Sequence, residues 1–292
     1  MSVVVTGATG QLGRLAVENL IARGTDPAGI TAAGRNADRL AELAESGVAT
    51  AAIDFDDPDT LEAAFRGADA LLLVSGSEVG ARESQHRNAI EAARAAGVGH
   101  IVYTSVVKAG DTTLILAPEH ELTEEMLAAS GVPHTVLRNG WYSELFEAEL
   151  QQGAQFGAFV GSAGKGQVAA ASRADLAEAA AVVLLDPAAH VGAVYELTGD
   201  HAWTNDEVAA EITELLGRPV EYRDLTPEAH AEALMDAGLD DGLVRFLVDI
   251  DRNKLDGELS LVTGDLSRIL GRPATSLPET LRSLYRDGAD AQ

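Results

Sequence analysis

Short unbroken apolar runs punctuate the first half of the chain, at residues 3–5, 30–33, 48–53, 70–74, 101–104 and 135–137. Runs that are continuous rather than alternating with polar residues suit strands buried on both faces, as in a parallel sheet with helices on each side. The intervening stretches carry helical periodicity, near residues 14–23, 37–46, 59–66, 83–96 and 119–130. Gly67, Gly97 and Gly131 stand where such helices would end and return to strands. This alternation predicts an α/β fold, a doubly wound parallel sheet of the Rossmann type.

Beyond about residue 140 the rhythm changes. Residues 156–166, rich in glycine and aromatics, read as loop and short strand. A helix is expected over 175–185 after a cap at Arg173-Ala174, then a strand over 194–197. Helices follow over 204–216, 227–237 and 241–248, with Thr204 and Thr226 as N-caps. The organisation predicted is a nucleotide-binding domain over residues 1–150 and a smaller α/β lobe over 151–292, interleaved with the last sheet strands. Repeats, low-complexity tracts and a long linker are absent from the sequence.

Composition narrows the chemistry. With 46% hydrophobic residues among 292 the chain can bury a sizeable core. It has no cysteine, which excludes disulfides, thiolate metal sites and cysteine nucleophiles and fits a cytoplasmic protein. The net charge of −25 should repel nucleic acid and anionic membranes, so neither is expected as a partner. No apolar stretch approaches the length of a membrane span, and Met1 leads directly into the first strand, so no signal peptide is expected. Against this charge an anionic ligand needs locally positive spots. Only Lys108, Lys165 and Lys254 among the 21 basic residues are lysines, so individual arginines carry the information.

The densest chemical signal is Thr6-Gly7-Ala8-Thr9-Gly10-Gln11-Leu12-Gly13, directly after the first apolar run. Its glycines follow G-x-x-G-x-x-G spacing, which lets the backbone turn sharply and approach a ligand closely. The free N–H groups of the helix that follows then suit a pyrophosphate. At the end of the second strand stands Ala33-Gly34-Arg35-Asn36. A site for NAD would place a carboxylate there, whereas an arginine fork suits the 2′-phosphate of NADPH, with Gly34 leaving space for it. The fourth strand ends in Ser75-Gly76-Ser77, small residues at the sheet edge where ligands of open α/β folds bind, or simply a turn.

Other arrangements are disfavoured. Tyr103 and Lys108 are five residues apart, not the four of a short-chain dehydrogenase pair, and Tyr103 lies on a strand, so it is expected to pack against the sheet; Ser105 and Lys108 lie nearer its carboxyl edge and could line the pocket. The seven histidines show no H-E-x-x-H or other close ligand pairing, so no metal is expected, and His86 and His120 read as solvated or capping helix residues. No G-x-S-x-G elbow is present. Trp141 and Tyr142 offer flat amphipathic surfaces suited to a planar ring, or a core tryptophan beneath the sheet edge.

At Gly7–Gly13, Arg35, Ser77-Glu78-Val79-Gly80, Gln85-His86-Arg87-Asn88 and above all Leu137-Arg138-Asn139-Gly140-Trp141-Tyr142-Ser143-Glu144, the chain resembles the NmrA-like atypical short-chain dehydrogenases. It is most similar to their branch of type 2 NADPH:quinone oxidoreductases and triphenylmethane reductases. The resemblance runs nearly end to end, through Ser172-Arg173-Ala174-Asp175 and Tyr195-Glu196-Leu197-Thr198-Gly199-Asp200. It implies NADPH in a cleft and reduction of a small planar substrate such as a quinone, by a monomer or homodimer. By match, Gly7, Thr9, Gly10, Gln11 and Leu12 would hold the pyrophosphate, Arg35 the 2′-phosphate and Ser75, Gly76 and Ser77 the ribose. Asn139, Trp141 and Tyr142 would flank the nicotinamide and quinone, and Arg173 would complete the cleft. Relatives often carry a lysine in the helix after the fifth strand, but Glu119-His120-Glu121-Leu122-Thr123-Glu124-Glu125-Met126 has none. Tyr142 and Ser105 are therefore the candidates to hydrogen-bond a developing oxyanion. A non-catalytic NADP(H)-sensing regulator is the alternative. A sugar-nucleotide epimerase would need the Tyr–Lys pair.

Overall fold

The computed structural model of the protein describes residues 1–76, 78 and 80–290, the last two as backbone alone. In chain order, the first part comprises β1 (Val3–Val5), α1 (Gln11–Ala22), β2 (Ile30–Gly34), α2 (Ala37–Ala44), β3 (Ala49–Ala52), α3 (Pro58–Phe65), β4 (Ala70–Leu73), α4 (Arg82–Ala96), β5 (His100–Val106), α5 (Ala117–Ser130) and β6 (His134–Asn139). Then follow α6 (Glu147–Phe156), β7 (Ala158–Gly161), β8 (Gln167–Val168), α7 (Arg173–Leu185), β9 (Val194–Leu197), β10 (Trp203–Thr204), α8 (Asn205–Leu216), β11 (Glu221–Asp224), α9 (Pro227–Asp236), α10 (Asp241–Leu255), α11 (Asp265–Leu270) and α12 (Leu277–Asp290).

The central sheet has seven strands in the order β3-β2-β1-β4-β5-β6-β9, and every pairing is parallel. Its two faces are read off alternate residues. Val3 and Val5 of β1, Leu72 of β4 and Val102 of β5 join a core with Ala16 and Leu20 of α1 and Ala177 and Ala180 of α7. Val4, Leu71, Leu73 and Ile101 point the other way, into a core with Leu61 and Phe65 of α3 and Ile90 of α4. Burial on both faces is why the strands are unbrokenly apolar. Helix α7 is buried on nearly all sides, and its alanines let it lie close against α1.

Residues beyond β6 feed both the sheet and a third core. Helix α7 and strand β9 complete the central layers. Around them Phe146, Leu150, Phe159, Val208, Ile212 and Ile250 form a third cluster, flanked by two-stranded pairings of β10 with β8 and β11 with β7. Helix α7 starts at Arg173 itself, so its cap stands one residue before the one expected at Arg173-Ala174. Its N-cap is Ser172, whose Oγ accepts from the Asp175 N–H at 3.1 Å. Helix α6 lies just before the stretch read as loop and short strand, where no element is expected, and α10 runs to Leu255 rather than to residue 248. Among the described residues no helix is long and apolar enough to cross a membrane.

Candidate dinucleotide cleft

Strand β1 lies between β2 and β4, so the sheet order reverses there and a crevice opens at the carboxyl ends of these strands. The β1–α1 turn forms its floor. Gly7 leaves the strand with φ +61°, and a Cβ on it would meet Val74 at 3.2 Å. A Cβ on Gly13 would sit 2.3 Å from the Gly7 carbonyl oxygen, so only glycine lets α1 start this close to the strand. Gly10 caps the helix without a side-chain hydrogen bond, and the first turn carries no acidic residue. The N–H groups at this helix start have no intrahelical acceptor, and Gln11, Leu12 and Gly13 face the cleft. This is an anion cradle made from backbone.

The cleft measures about 320 Å³. Of the residues singled out by sequence, it brings together Gly7, Thr9, Gly10, Gln11, Leu12, Arg35, Ser75, Gly76, Tyr142 and Arg173. Arg35 is exposed, and its guanidinium meets the Glu78 carboxylate at 2.6 Å. That partner holds the Glu78 carboxyl below its usual range. Gly34 lines the cleft beside Arg35, and a Cβ there would stand 2.7 Å from Thr9 Cγ2, so the glycine also makes room for Thr9. At the far end the Arg173 guanidinium stacks 4.5 Å over the Tyr142 ring and pairs with Glu144 at 3.4 Å. Burial pushes the Tyr142 phenol up, opposed by the neighbouring Asn139 amide and by Arg173.

Four expected residues, Asn139, Trp141, Ser105 and Lys108, lie outside the cleft lining. Asn139 is buried beside Tyr142, and its Oδ1 has no hydrogen-bond partner among the described residues. Trp141 packs against the third hydrophobic cluster, outside the cleft lining. Ser105 is buried off the cleft, and its hydroxyl donates to Glu124 Oε1 at 2.6 Å. That proton is therefore committed to a carboxylate that also receives Arg138 at 2.7 Å. Ser77 falls outside the described residues. Lys108, at φ 58°, pairs with Glu258 at 2.7 Å.

Sequence reasoning overlooked Ile53, Asp54 and Phe55, which wall the cleft beside Arg35. Their signal was available, since they follow directly on β3 at the same edge of the sheet. The two helix histidines also need correction. Neither is solvated or a cap: His86 is fully buried and His120 nearly so. The His86 ring joins Gly76 N–H to Thr123, and His120 Nδ1 lies 2.7 Å from the Tyr103 hydroxyl. Tyr103 is fully buried against the sheet, as its strand position suggests. Among the described residues no cluster of three or more potential metal ligands occurs.

A glycine-rich turn opening onto a free helix start, an arginine after β2 and a topological switch point together define a Rossmann-type dinucleotide-binding protein. Comparison with known proteins agrees. A family described as NAD(P)H-binding matches residues 7–187. Quinone oxidoreductase 2 of Escherichia coli is 45% identical over 284 residues, covering 97% of this chain and 98% of that one. The crystal structure of the Escherichia coli NADPH-dependent quinone oxidoreductase complexed with NADPH superposes with a TM-score of 0.93 at 44% identity, covering 97% of this chain and 99% of that one. That of Citrobacter sp. triphenylmethane reductase complexed with NADP(H) gives 0.90 at 34% identity, covering 97% and 100%. The chain belongs to the NAD(P)H-binding, NmrA-like family of atypical short-chain dehydrogenases.

Proposed function

We propose that the protein is an NADPH-dependent oxidoreductase that reduces quinones or similar planar acceptors by direct hydride transfer, in the cytoplasm. The observation that carries this reading is the single cleft in which the α1 cradle, Arg35 and the Tyr142–Arg173 stack meet. It occurs in a chain similar along almost its whole length to a quinone oxidoreductase. NADPH, when bound, supplies the hydride. The chain's own residues bind and orient. Backbone N–H groups of the Gly10–Gly13 turn hold the pyrophosphate, and Arg35 turns from Glu78 to the 2′-phosphate. Ser75 and Gly76 border the ribose, and Ile53 and Phe55 offer an apolar wall to the base.

A general acid is not needed for this substrate class. A quinone that accepts a hydride becomes an aromatic quinolate, and its proton can come from water, so the protein contributes mainly proximity and orientation. With the Ser105 proton held by Glu124, the Tyr142 hydroxyl is the group we assign to hydrogen-bond the developing oxyanion, and burial keeps it protonated. Asn139 and Arg173 set the position of its ring.

Steady-state oxidation of NADPH with a panel of small quinones tests the reading. Turnover with NADPH well above that with NADH is expected. Tight NADPH binding with no turnover on any quinone or dye would overturn the enzyme and leave a dinucleotide sensor.

A further inference from the structure

The cofactor-facing segment after β4 is gripped from behind. Gly76 lines the cleft, and both polar atoms of its backbone are held by side chains of α4. Its N–H donates to His86 Nε2 at 3.0 Å, and its carbonyl accepts from Arg82 Nε at 2.6 Å. Four residues on, the Gly80 N–H donates to Glu119 Oε1 at 2.7 Å, while Glu119 Oε2 pairs with Arg82 at 3.0 Å. A Cβ on Gly76 would press on Gln85 Oε1 at 3.3 Å, so the peptide sits hard against α4.

The donor order in this network is forced. The Gly76 N–H can only donate, so His86 Nε2 must accept. Nδ1 then carries the proton and donates to Thr123 Oγ1 at 2.9 Å. The Thr123 hydroxyl in turn donates to the Glu119 carbonyl at 2.8 Å. His86 must therefore be neutral and in one tautomer. Burial, reinforced by Arg82, depresses it to about 4, in keeping with that requirement. Both Glu119 and Thr123 belong to α5, the helix where relatives often carry a lysine.

We propose that His86, with Arg82 and Glu119, is a positioning device for the dinucleotide site. The α4–α5 seam fixes the Gly76 peptide so that the wall formed by Ser75 and Gly76 is preset before the cofactor arrives. Here α5 provides this clamp rather than a proton donor. The inference rests on reading the cleft as the NADPH site.

The test compares His86→Leu, which removes the acceptor, with His86→Gln, whose Oε1 can reach the Nε2 position. Two readouts are used: amide hydrogen exchange at Gly76 without cofactor, and NADPH affinity alongside quinone KM and kcat. In His86→Leu, Gly76 exchange should quicken at least ten-fold and the NADPH Kd rise about ten-fold, the scale of one lost hydrogen bond. Quinone KM and kcat at saturating NADPH should change less than two-fold. His86→Gln should restore both readouts. Unchanged Gly76 exchange in His86→Leu, equal impairment in both variants, or a loss shared equally with quinone KM would overturn the proposal. Failure of the wild type to bind NADPH would instead sink the cofactor reading. The exchange comparison is made without cofactor and stands apart from that result.

Discussion

Replacing Arg35 by alanine should separate the two nicotinamide cofactors. The guanidinium stands at the carboxyl edge of β2, exposed, and its partner is the Glu78 carboxylate at 2.6 Å. An exposed pair of that kind contributes little, so turning Arg35 onto a 2′-phosphate sacrifices little and gains charge-assisted hydrogen bonds. Such bonds are worth roughly 1.5–3 kcal/mol, and a net loss of about 2 kcal/mol corresponds to a Kd some thirty-fold weaker. NADH has a hydroxyl at that position and should lose no more than about two-fold. Glu78→Gln should act with the opposite sign, tightening NADPH about three-fold, because it removes both the competing acceptor and a like charge. Binding titrations of the two cofactors at fixed, low ionic strength provide the measurement, since salt screens exposed charges. Equal weakening of NADPH and NADH by Arg35→Ala, or weaker NADPH binding in Glu78→Gln, would refute the phosphate assignment.

Gly13→Ala should be poorly tolerated, because its Cβ would lie 2.3 Å from the Gly7 carbonyl; a loss of about 3 kcal/mol in urea unfolding, with NADPH binding abolished, is expected, and a variant as stable as wild type would contradict the packing. Tyr142→Phe should lower kcat about ten-fold with NADPH affinity nearly unchanged, as for loss of one hydrogen bond to a delocalised anion; an unaltered kcat would remove Tyr142 from the chemistry. His86 and His120 are buried and depressed to about 4 and about 3, so below pH 6.5 the unfolded chain binds protons that the native state excludes. Their stabilisation is complete above pH 6.5 and falls as pH drops toward 4, by about 5 kcal/mol for the two together at pH 4.5. The raised Glu149 carboxyl opposes this trend, and urea titrations showing the same stability at pH 7 and pH 4.5 would contradict it.

The sheet was legible because burial on both faces leaves one kind of trace, an uninterrupted apolar run, and Val3–Val5 or Ala70–Leu73 show it plainly. Caps with a side-chain oxygen were legible too: Thr204 forms a capping box with Glu207, and Thr226 accepts from the Ala229 N–H. Less was legible where partners are distant in sequence. Strands β8, β10 and β11 are two to four residues long and are defined by their pairings, which no local period announces. Helix α6 begins straight after a 3₁₀ turn at Ser143–Phe146 and carries no side-chain cap, so it lacks a start signal. In the site, backbone requirements were visible as glycines, whereas side-chain partners were not. Nothing in the sequence ties Ser105 to Glu124, or turns two helix histidines inward onto Gly76 and Tyr103.

The acidity of the chain makes the cleft's construction intelligible. Against a net charge of −25, the charged residues lining the cleft are Arg35, Arg173, Asp54 and Glu78, two of each sign. Both arginines are already paired, with Glu78 and Glu144, and Arg39 is spent on the Thr9 carbonyl at 2.7 Å. An anionic dinucleotide thus finds no surplus of positive side chains to draw it in. What the cleft offers instead is oriented backbone, the free N–H groups at the start of α1, which add no net charge and need no counter-ion. In such a protein recognition depends on how rigidly the peptides around the cofactor are held. That is why the glycine contacts of β1–α1 and the His86–Arg82 grip on Gly76 matter more to binding than the overall field.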